Sequence, residues 1–187
     1  MTFDTRTDLV RNLVTPGGVI AEVGVLKGEF SKELIEILNP SRIYMIDRFE
    51  GNCYSGDRDG NNGAVYDLNM ARSSLVEYAK SNPAVTLLKG NSSTLLGTLE
   101  ADSLDLVYLD GDHEYPGCKK DAIESYRLLK DGGWLMGHDY ATNPAKALSN
   151  YVFGVKKAID EFCQDYNQTI HAFGNDGMIS FAIKISK

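Results

Sequence analysis

The sequence predicts an α/β protein: a doubly wound sheet, mostly parallel, with an antiparallel strand at its C-terminal end. Three observations lead there. Short apolar runs alternate with helix-like segments from Val19 to about Tyr140, as parallel strands joined by crossover helices do. The hydrophobic period changes from strand to helix across Ala21-Glu22-Val23-Gly24-Val25-Leu26-Lys27-Gly28. Beyond Tyr140 two apolar runs flank Gly174-Asn175-Asp176-Gly177, a turn rich in residues that tolerate positive φ, so they pair as an antiparallel hairpin.

Each element has its own reason. Thr7–Val14 is the one helix expected in the roughly 18-residue extension before the first core strand. Val19–Val23 is β-branched, apolar and bounded by glycine, which suits a strand covered on both faces. Phe30, Leu34, Ile35, Ile37 and Leu38 recur at helical spacing, so Phe30–Leu38 is a helix. Arg42–Ile46, Val85–Lys89, Leu104–Leu109 and Trp134–Gly137 are short apolar runs that complete five parallel strands. Between them Tyr66–Ser81 and Cys118–Lys130 read as helices, the second with Cys118, Ala122, Tyr126 and Leu129 on one face and Asp131-Gly132-Gly133 as its stop. A helix from about Val152 to Tyr166 precedes the hairpin of Thr169–Phe173 and Met178–Ile185, which brings the sheet to seven strands. The segment Gly51–Gly63, with glycines at 51, 56, 60 and 63, reads as a mobile loop beside a ligand site.

Bulk properties narrow the function. A chain of 187 residues fits one domain, 1–187, able to bury a core without metal or disulfide staples. The net charge of −7 and the absence of a Lys/Arg-rich block argue against a nucleic-acid partner and for a small-molecule substrate. Cys53, Cys118 and Cys163 are odd in number and widely spaced, which fits a reducing cytoplasm and no zinc knuckle. No window reaches transmembrane length and no basic flank leads into an apolar leader, so neither a membrane partner nor export is expected. A homo-oligomer is compatible with these bounds.

In an open α/β sheet, ligands bind beyond the carboxyl ends of the strands, so those ends carry the chemistry. The glycines at 24 and 28 let the main chain approach a ligand at a strand-to-helix turn. A dinucleotide fingerprint would need glycine where Leu26 stands, and Glu22 adds negative charge, so both argue against a pyrophosphate. Asp47 ends the second core strand close to the interval at which an acid grips ribose hydroxyls; a plain strand terminator is its other reading. Lys89-Gly90-Asn91-Ser92 offers an amide and a hydroxyl to an adenine ring, or an N-cap to the next helix.

The fourth core strand delivers Asp110-Gly111-Asp112-His113-Glu114, with four ionisable side chains in five residues. Asp112 and Glu114 read as a solvated turn, whereas Asp110 follows the strand directly and His113 titrates near neutrality, as a general base must. The fifth ends in Gly137-His138-Asp139-Tyr140. Asp110, His138 and Asp139 could then hold a divalent cation such as Mg, or form a hydrogen-bonded His–Asp pair without metal. His171, inside the hairpin, is read as structural.

Glu22-x-Gly24-x3-Gly28, Asp47, Asp110-Gly111-Asp112-His113 and Gly133-Trp134-Leu135-Met136-Gly137-His138-Asp139-Tyr140 together resemble a class I S-adenosylmethionine-dependent methyltransferase with a Rossmann-like fold. The likeness covers about Val19 to Tyr140 and is nearest to the small-molecule branch that includes macrocin-type and catechol-type O-methyltransferases. It implies S-adenosylmethionine as cofactor, with Glu22, Val23, Gly24 and Gly28 around its methionine end and Asp47 and Arg48 at the ribose. Gly90, Asn91 and Ser92 would line the adenine edge, and Asp110 would lie near the methionine amino group and the substrate. His113 and His138 are the candidate bases and Asp110 completes the catalytic set. Metal-dependent relatives carry two acids, or an acid and an amide, where this chain has His138-Asp139. The Asn-Pro-Pro-aromatic motif of DNA amino methyltransferases is absent. A non-catalytic S-adenosylmethionine-binding protein is the competing reading, and an NAD-linked reductase a third that Leu26 and Glu22 disfavour. Gly51–Gly63 and Ala141–Tyr151 are expected to shape the acceptor pocket.

Overall fold

The computed structural model describes residues 1–55, 64–140 and 153–187, with backbone alone at 52–55 and 64–66. The chain opens with a two-residue strand β1 (Thr2–Phe3) and helix α1 (Arg6–Leu13), whose first turn is capped by Thr5 accepting the Asp8 N–H at 3.0 Å. There follow β2 (Val19–Val23), α2 (Glu29–Leu38), β3 (Arg42–Asp47), β4 (Asn52–Ser55), β5 (Ala64–Asp67), α3 (Leu68–Ser81), β6 (Val85–Lys89) and α4 (Ser92–Leu96). The rest is β7 (Leu104–Leu109), α5 (Tyr115–Leu128), β8 (Leu129–Gly137), α6 (Val155–Asp165), β9 (Ile170–Asn175) and β10 (Ile179–Lys184).

One sheet runs in the order β1-β9-β10-β8-β7-β2-β3-β6. The five adjacent strands β8, β7, β2, β3 and β6 are parallel, and β10 lies antiparallel between β8 and β9. The seven expected strands are all there, and β1 adds an eighth at the edge by pairing parallel with β9. From β2 the chain winds outward through β3 to β6, then returns to the other side of β2 at β7, so strand order reverses between β2 and β7. That reversal opens a crevice at the carboxyl edge.

Alternation along the strands divides the core in two. Ile20, Ile43, Met45, Leu106, Tyr108 and Met136 face Leu9, Val10, Leu34, Leu38 and Leu75 of α1, α2 and α3, all buried. Ala21, Val23, Ile46, Val107, Leu109 and Leu135 face the other way, onto Leu96, Cys118, Ala122, Ile159 and Phe162 of α4, α5 and α6. Neighbouring residues on one strand thus serve opposite layers, which is why the strands read as unbroken apolar runs.

Three elements depart from the sequence expectation. The helix expected to end at Lys130 runs over Tyr115–Leu128, and Asp131-Gly132-Gly133 lies inside β8 as a bulge instead of separating helix from strand. Pairing with β7 jumps there from Leu104↔Leu129 to Leu106↔Trp134, and Gly132 takes the bend at φ +78°. The helix expected from Tyr66 begins at Leu68, because Asp67 caps it by accepting the N–H groups of Asn69 at 2.8 Å and Met70 at 3.3 Å. Ala64–Asp67 instead pairs antiparallel with Asn52–Ser55, so the start of the glycine-rich segment forms a ribbon with the residues that follow the segment. Its remainder, 56–63, and the segment 141–152 lie outside the described residues.

Two glycines separate backbone strain from steric exclusion. Gly132 (φ +78°) has nothing within 4 Å of the point where a Cβ would stand, so Gly132→Ala should cost roughly 1–2 kcal/mol from conformation alone. At Gly24 (φ +89°) a Cβ would stand 2.0 Å from the Asp110 carbonyl oxygen, so Gly24→Ala must also force two strand ends apart. Urea unfolding should therefore give a clearly lower midpoint for Gly24→Ala than for Gly132→Ala.

Candidate active site

The carboxyl edge is built around the turn from β2 to α2. Gly24, Leu26 and Gly28 all adopt left-handed φ, at +89°, +54° and +76°. Asp47 holds this turn: Oδ2 accepts the N–H groups of Val25 and Leu26, each at 2.9 Å, while Oδ1 accepts that of Phe49 at 2.9 Å. This is the strand-terminator reading of Asp47, which ends β3 and organises the loop beside it. Arg48, the next residue, is exposed.

Glu22 is buried in the sheet and accepts a hydrogen bond from the Ser31 hydroxyl of α2. Burial pushes its carboxyl from the ordinary 4.5 up to about 8, more than the Ser31 contact lowers it. At neutral pH it is mostly uncharged, so the expected charge repulsion of a pyrophosphate by Glu22 does not operate as the sequence suggested. Asn91 takes its N-cap reading: Oδ1 accepts the Thr94 N–H at 3.1 Å and the Ser93 hydroxyl at 2.8 Å. Ser92 donates to Asp121 of α5 at 2.7 Å, and burial raises that carboxyl to about 6 against the opposing effect of Ser92. Gly90 donates its N–H to the Asp47 carbonyl at 3.0 Å and so ties the end of β6 to β3.

At the end of β7, Asp110 donates its N–H to the Val23 carbonyl at 2.7 Å. His113 Nε2 is 3.0 Å from Asp139 Oδ2 and 3.7 Å from Asp110 Oδ1. That nitrogen is buried, yet its N–H direction aligns with neither acid, so it makes no linear hydrogen bond. His138 Nδ1 lies 3.5 Å from Asp139 and 3.9 Å from Asp110, and its Nε2 3.5 Å from Asp176 Oδ1. Burial disfavours every charge here, but the partners prevail. Asp110 and Asp139 raise the His113 imidazole to about 9, Asp139 and Asp110 raise that of His138, and the two histidines hold Asp139 below the usual carboxylate range. Asp139 is buried at a left-handed φ of +57°.

Donor atoms of Asp110, His113 and Asp139 all lie within 4.8 Å of one another, a spacing that suits one cation. The expected trio was Asp110, His138 and Asp139; among the described residues His113 stands in the third place, and His138 turns Nε2 toward Asp176. Two carboxylates and an imidazole whose buried nitrogen lacks a linear hydrogen bond fit a hard or borderline divalent ion. A small cavity beside them is bounded by Asp110, His113, Cys118, Asp121 and His138.

A family model described as a methyltransferase domain matches residues 21–140. The chain belongs to that methyltransferase family. Its match covers the strand ends just described, and the S-adenosylmethionine dependence implied by the sequence resemblance goes with it. No curated protein matches this methyltransferase significantly. Solved structures share its fold. The O-methyltransferase NovP superposes with a TM-score of 0.65 at 19% identity, over 97% of this chain and 80% of that one. Aeropyrum pernix fibrillarin, solved with natively bound S-adenosyl-L-methionine, gives 0.63 at 12% identity over 95% and 72%. An rRNA methylase from Streptococcus thermophilus gives 0.62 at 9% over 97% and 94%.

Two residues that the sequence does not single out join the group at this edge. Arg6 of α1 places Nη1 3.3 Å from Asp110 Oδ2, with its guanidinium 4.2 Å over the Phe30 ring. Asp176, in the turn between β9 and β10, lies 3.9 Å from Arg6 Nε and also approaches His138. A signal for Asp176 was available. Since β10 is antiparallel to both neighbours, β9 runs with the parallel strands and its carboxyl end reaches the same edge. Arg6 precedes the first core strand, and nothing in its local sequence marks it.

The Glu22 carboxyl gives a pH test. A folded pKa of about 8 against an ordinary 4.5 means the folded state holds the extra proton, so stability falls as pH rises through that window. Glu22→Gln keeps an acceptor for Ser31 and removes this ionisation. Its melting temperature should exceed the wild type's at pH 8–9, and the gap should close toward pH 5. An unchanged pH profile in Glu22→Gln would remove Glu22 as its source.

Proposed function

We propose that this methyltransferase transfers the methyl group of S-adenosylmethionine to a hydroxyl oxygen of a small molecule. The observation that carries the reading is the gathering of Asp110, His113, His138 and Asp139 beside the glycine turn of β2. When bound, the donor supplies an electrophilic methyl on a sulfonium, which an oxygen attacks in line. The protein's part is then to align the acceptor and take its proton.

The residues divide that work. Gly24 and Gly28 let the β2–α2 turn pack against Asp110 and Leu75, where a Cβ would clash, and Asp47 keeps the turn in shape while retaining lone pairs for ribose hydroxyls. Asp110, His113 and Asp139 would hold a divalent cation, which when present supplies positive charge that lowers the pKa of a hydroxyl. His138, between Asp139 and Asp176, would then take the acceptor proton; without a cation His113 would serve as base only toward pH 9, where its imidazole gives up its proton. Small-molecule acceptors are favoured over nucleic acid by the excess of 26 Asp and Glu over 19 Lys and Arg, a net charge of −7 that repels phosphates. The likeness to both an O-methyltransferase and an rRNA methylase leaves that choice to these charges.

Thermal unfolding should rise with S-adenosylhomocysteine and not with NAD, since a ligand that binds only the folded state stabilises it. A panel of catechol and sugar hydroxyls, with an RNA oligonucleotide as contrast, tests the acceptor. His138→Ala should cut turnover about 100-fold or more while S-adenosylhomocysteine affinity stays within about threefold. His113→Ala should abolish any response to Mg2+ or Mn2+. Turnover lost in His113→Ala, kept in His138→Ala and indifferent to cation would give the proton transfer to His113 instead. Donor binding without turnover on any acceptor would favour a non-catalytic binder.

A further inference from the structure

The methionine end of the donor is a zwitterion, with an ammonium and a carboxylate on one carbon. Any site for it needs an anion and a cation side by side. Asp110 and Arg6 are such a pair, Oδ2 and Nη1 standing 3.3 Å apart where the end of β7 abuts the glycine turn. We propose that Arg6 binds the carboxylate of the methyl donor's amino-acid end, while Asp110 receives its ammonium.

Arg6 is built to wait there. Its guanidinium stacks on Phe30 at 4.2 Å, its Nε lies 3.9 Å from Asp176, and its backbone N–H donates to Asp176 Oδ2 at 3.3 Å. Phe30 in turn packs on the buried Tyr108 ring at 4.6 Å, so the stack rests on the core. A guanidinium carries five N–H donors in a planar fork that matches a carboxylate. Among the described residues one of them is used within hydrogen-bond distance, by Asp110. The others are available, and a side chain already held by stacking loses little entropy on binding. Arg6 lies outside residues 21–140, so the family match assigns it nothing. In the free protein Arg6 neutralises Asp110; in the bound protein each charge exchanges its neighbour for the ligand's opposite charge.

This inference rests on the S-adenosylmethionine reading, and the test separates the two. Calorimetric titration of the full chain compares S-adenosylhomocysteine with its decarboxylated analogue, which keeps the ammonium and lacks only the carboxylate. The wild type should prefer S-adenosylhomocysteine by about 10- to 100-fold, as a charge-assisted pair warrants. Arg6→Gln should shrink that preference to within about threefold, because the cycle isolates the carboxylate–Arg6 contact. Arg6→Lys keeps stem and charge but not the fork, so it should lose part of the preference and covers the case in which Arg6→Gln unfolds. A full preference retained in either folded variant, or no preference in the wild type, overturns the role of Arg6. Failure of the folded wild type to bind either ligand overturns the donor site itself.

Discussion

The closeness of the β2–α2 turn to the end of β7 is the constraint on which the rest of the carboxyl edge depends. A Cβ at Gly24 would lie 2.0 Å from the Asp110 carbonyl oxygen, so the two strand ends touch main chain to main chain. Because they touch, the Asp110 side chain and the glycine turn form one wall. Arg6 can reach that wall from α1, and His113 and Asp139 can close it from the other side. Any side chain at position 24 would open this junction and separate the groups that the site combines.

Buried carboxyls at this edge reach opposite states for a reason that partners alone explain. Glu22 and Asp139 are both buried, and burial raises each. Glu22 has a hydroxyl for a partner, from Ser31, and burial wins, to about 8. Asp139 has two imidazoles, and they win. The edge thus holds a neutral acid inside the sheet and an ionised one at its mouth. The charge lies where a cationic donor or a divalent ion would be received, and the interior is spared an unpaired ion.

Much of this was legible in the sequence, and the exceptions have physical causes. Val19–Val23, Val85–Lys89 and Leu104–Leu109 were bounded correctly because buried parallel strands write themselves as short apolar runs between turn residues. Asp131-Gly132-Gly133 misled because two glycines after a helical run signal a stop just as well as a bulge within a strand. Acids and histidines directly after parallel strands were found by the rule that ligands gather at carboxyl ends. Asn91 and Ser92 obeyed the same rule, yet here they serve a cap and a buried acid. Arg6 was beyond reach: its partner Asp110 is 104 residues away, and only the folded sheet brings them together.

Backbone strain shows what Asp47 does for the turn. Among the described residues six non-glycines take left-handed φ: Leu26, Asn39, Phe49, Asp102, Asp139 and Asn167. Asn and Asp tolerate that conformation through short polar side chains, whereas Leu26 and Phe49 have no such relief and cost about 1–2 kcal/mol apiece. Both of those apolar residues donate their N–H to the Asp47 carboxylate, at 2.9 Å each. One side chain therefore offsets the strain at the only two apolar left-handed residues among those described, and both border the site. Asp47 holds the turn through its own three hydrogen bonds, with no ligand needed. A ribose would meet a carboxylate already fixed by three backbone amides, so its hydroxyls would be recognised by the same group that shapes the loop beneath them.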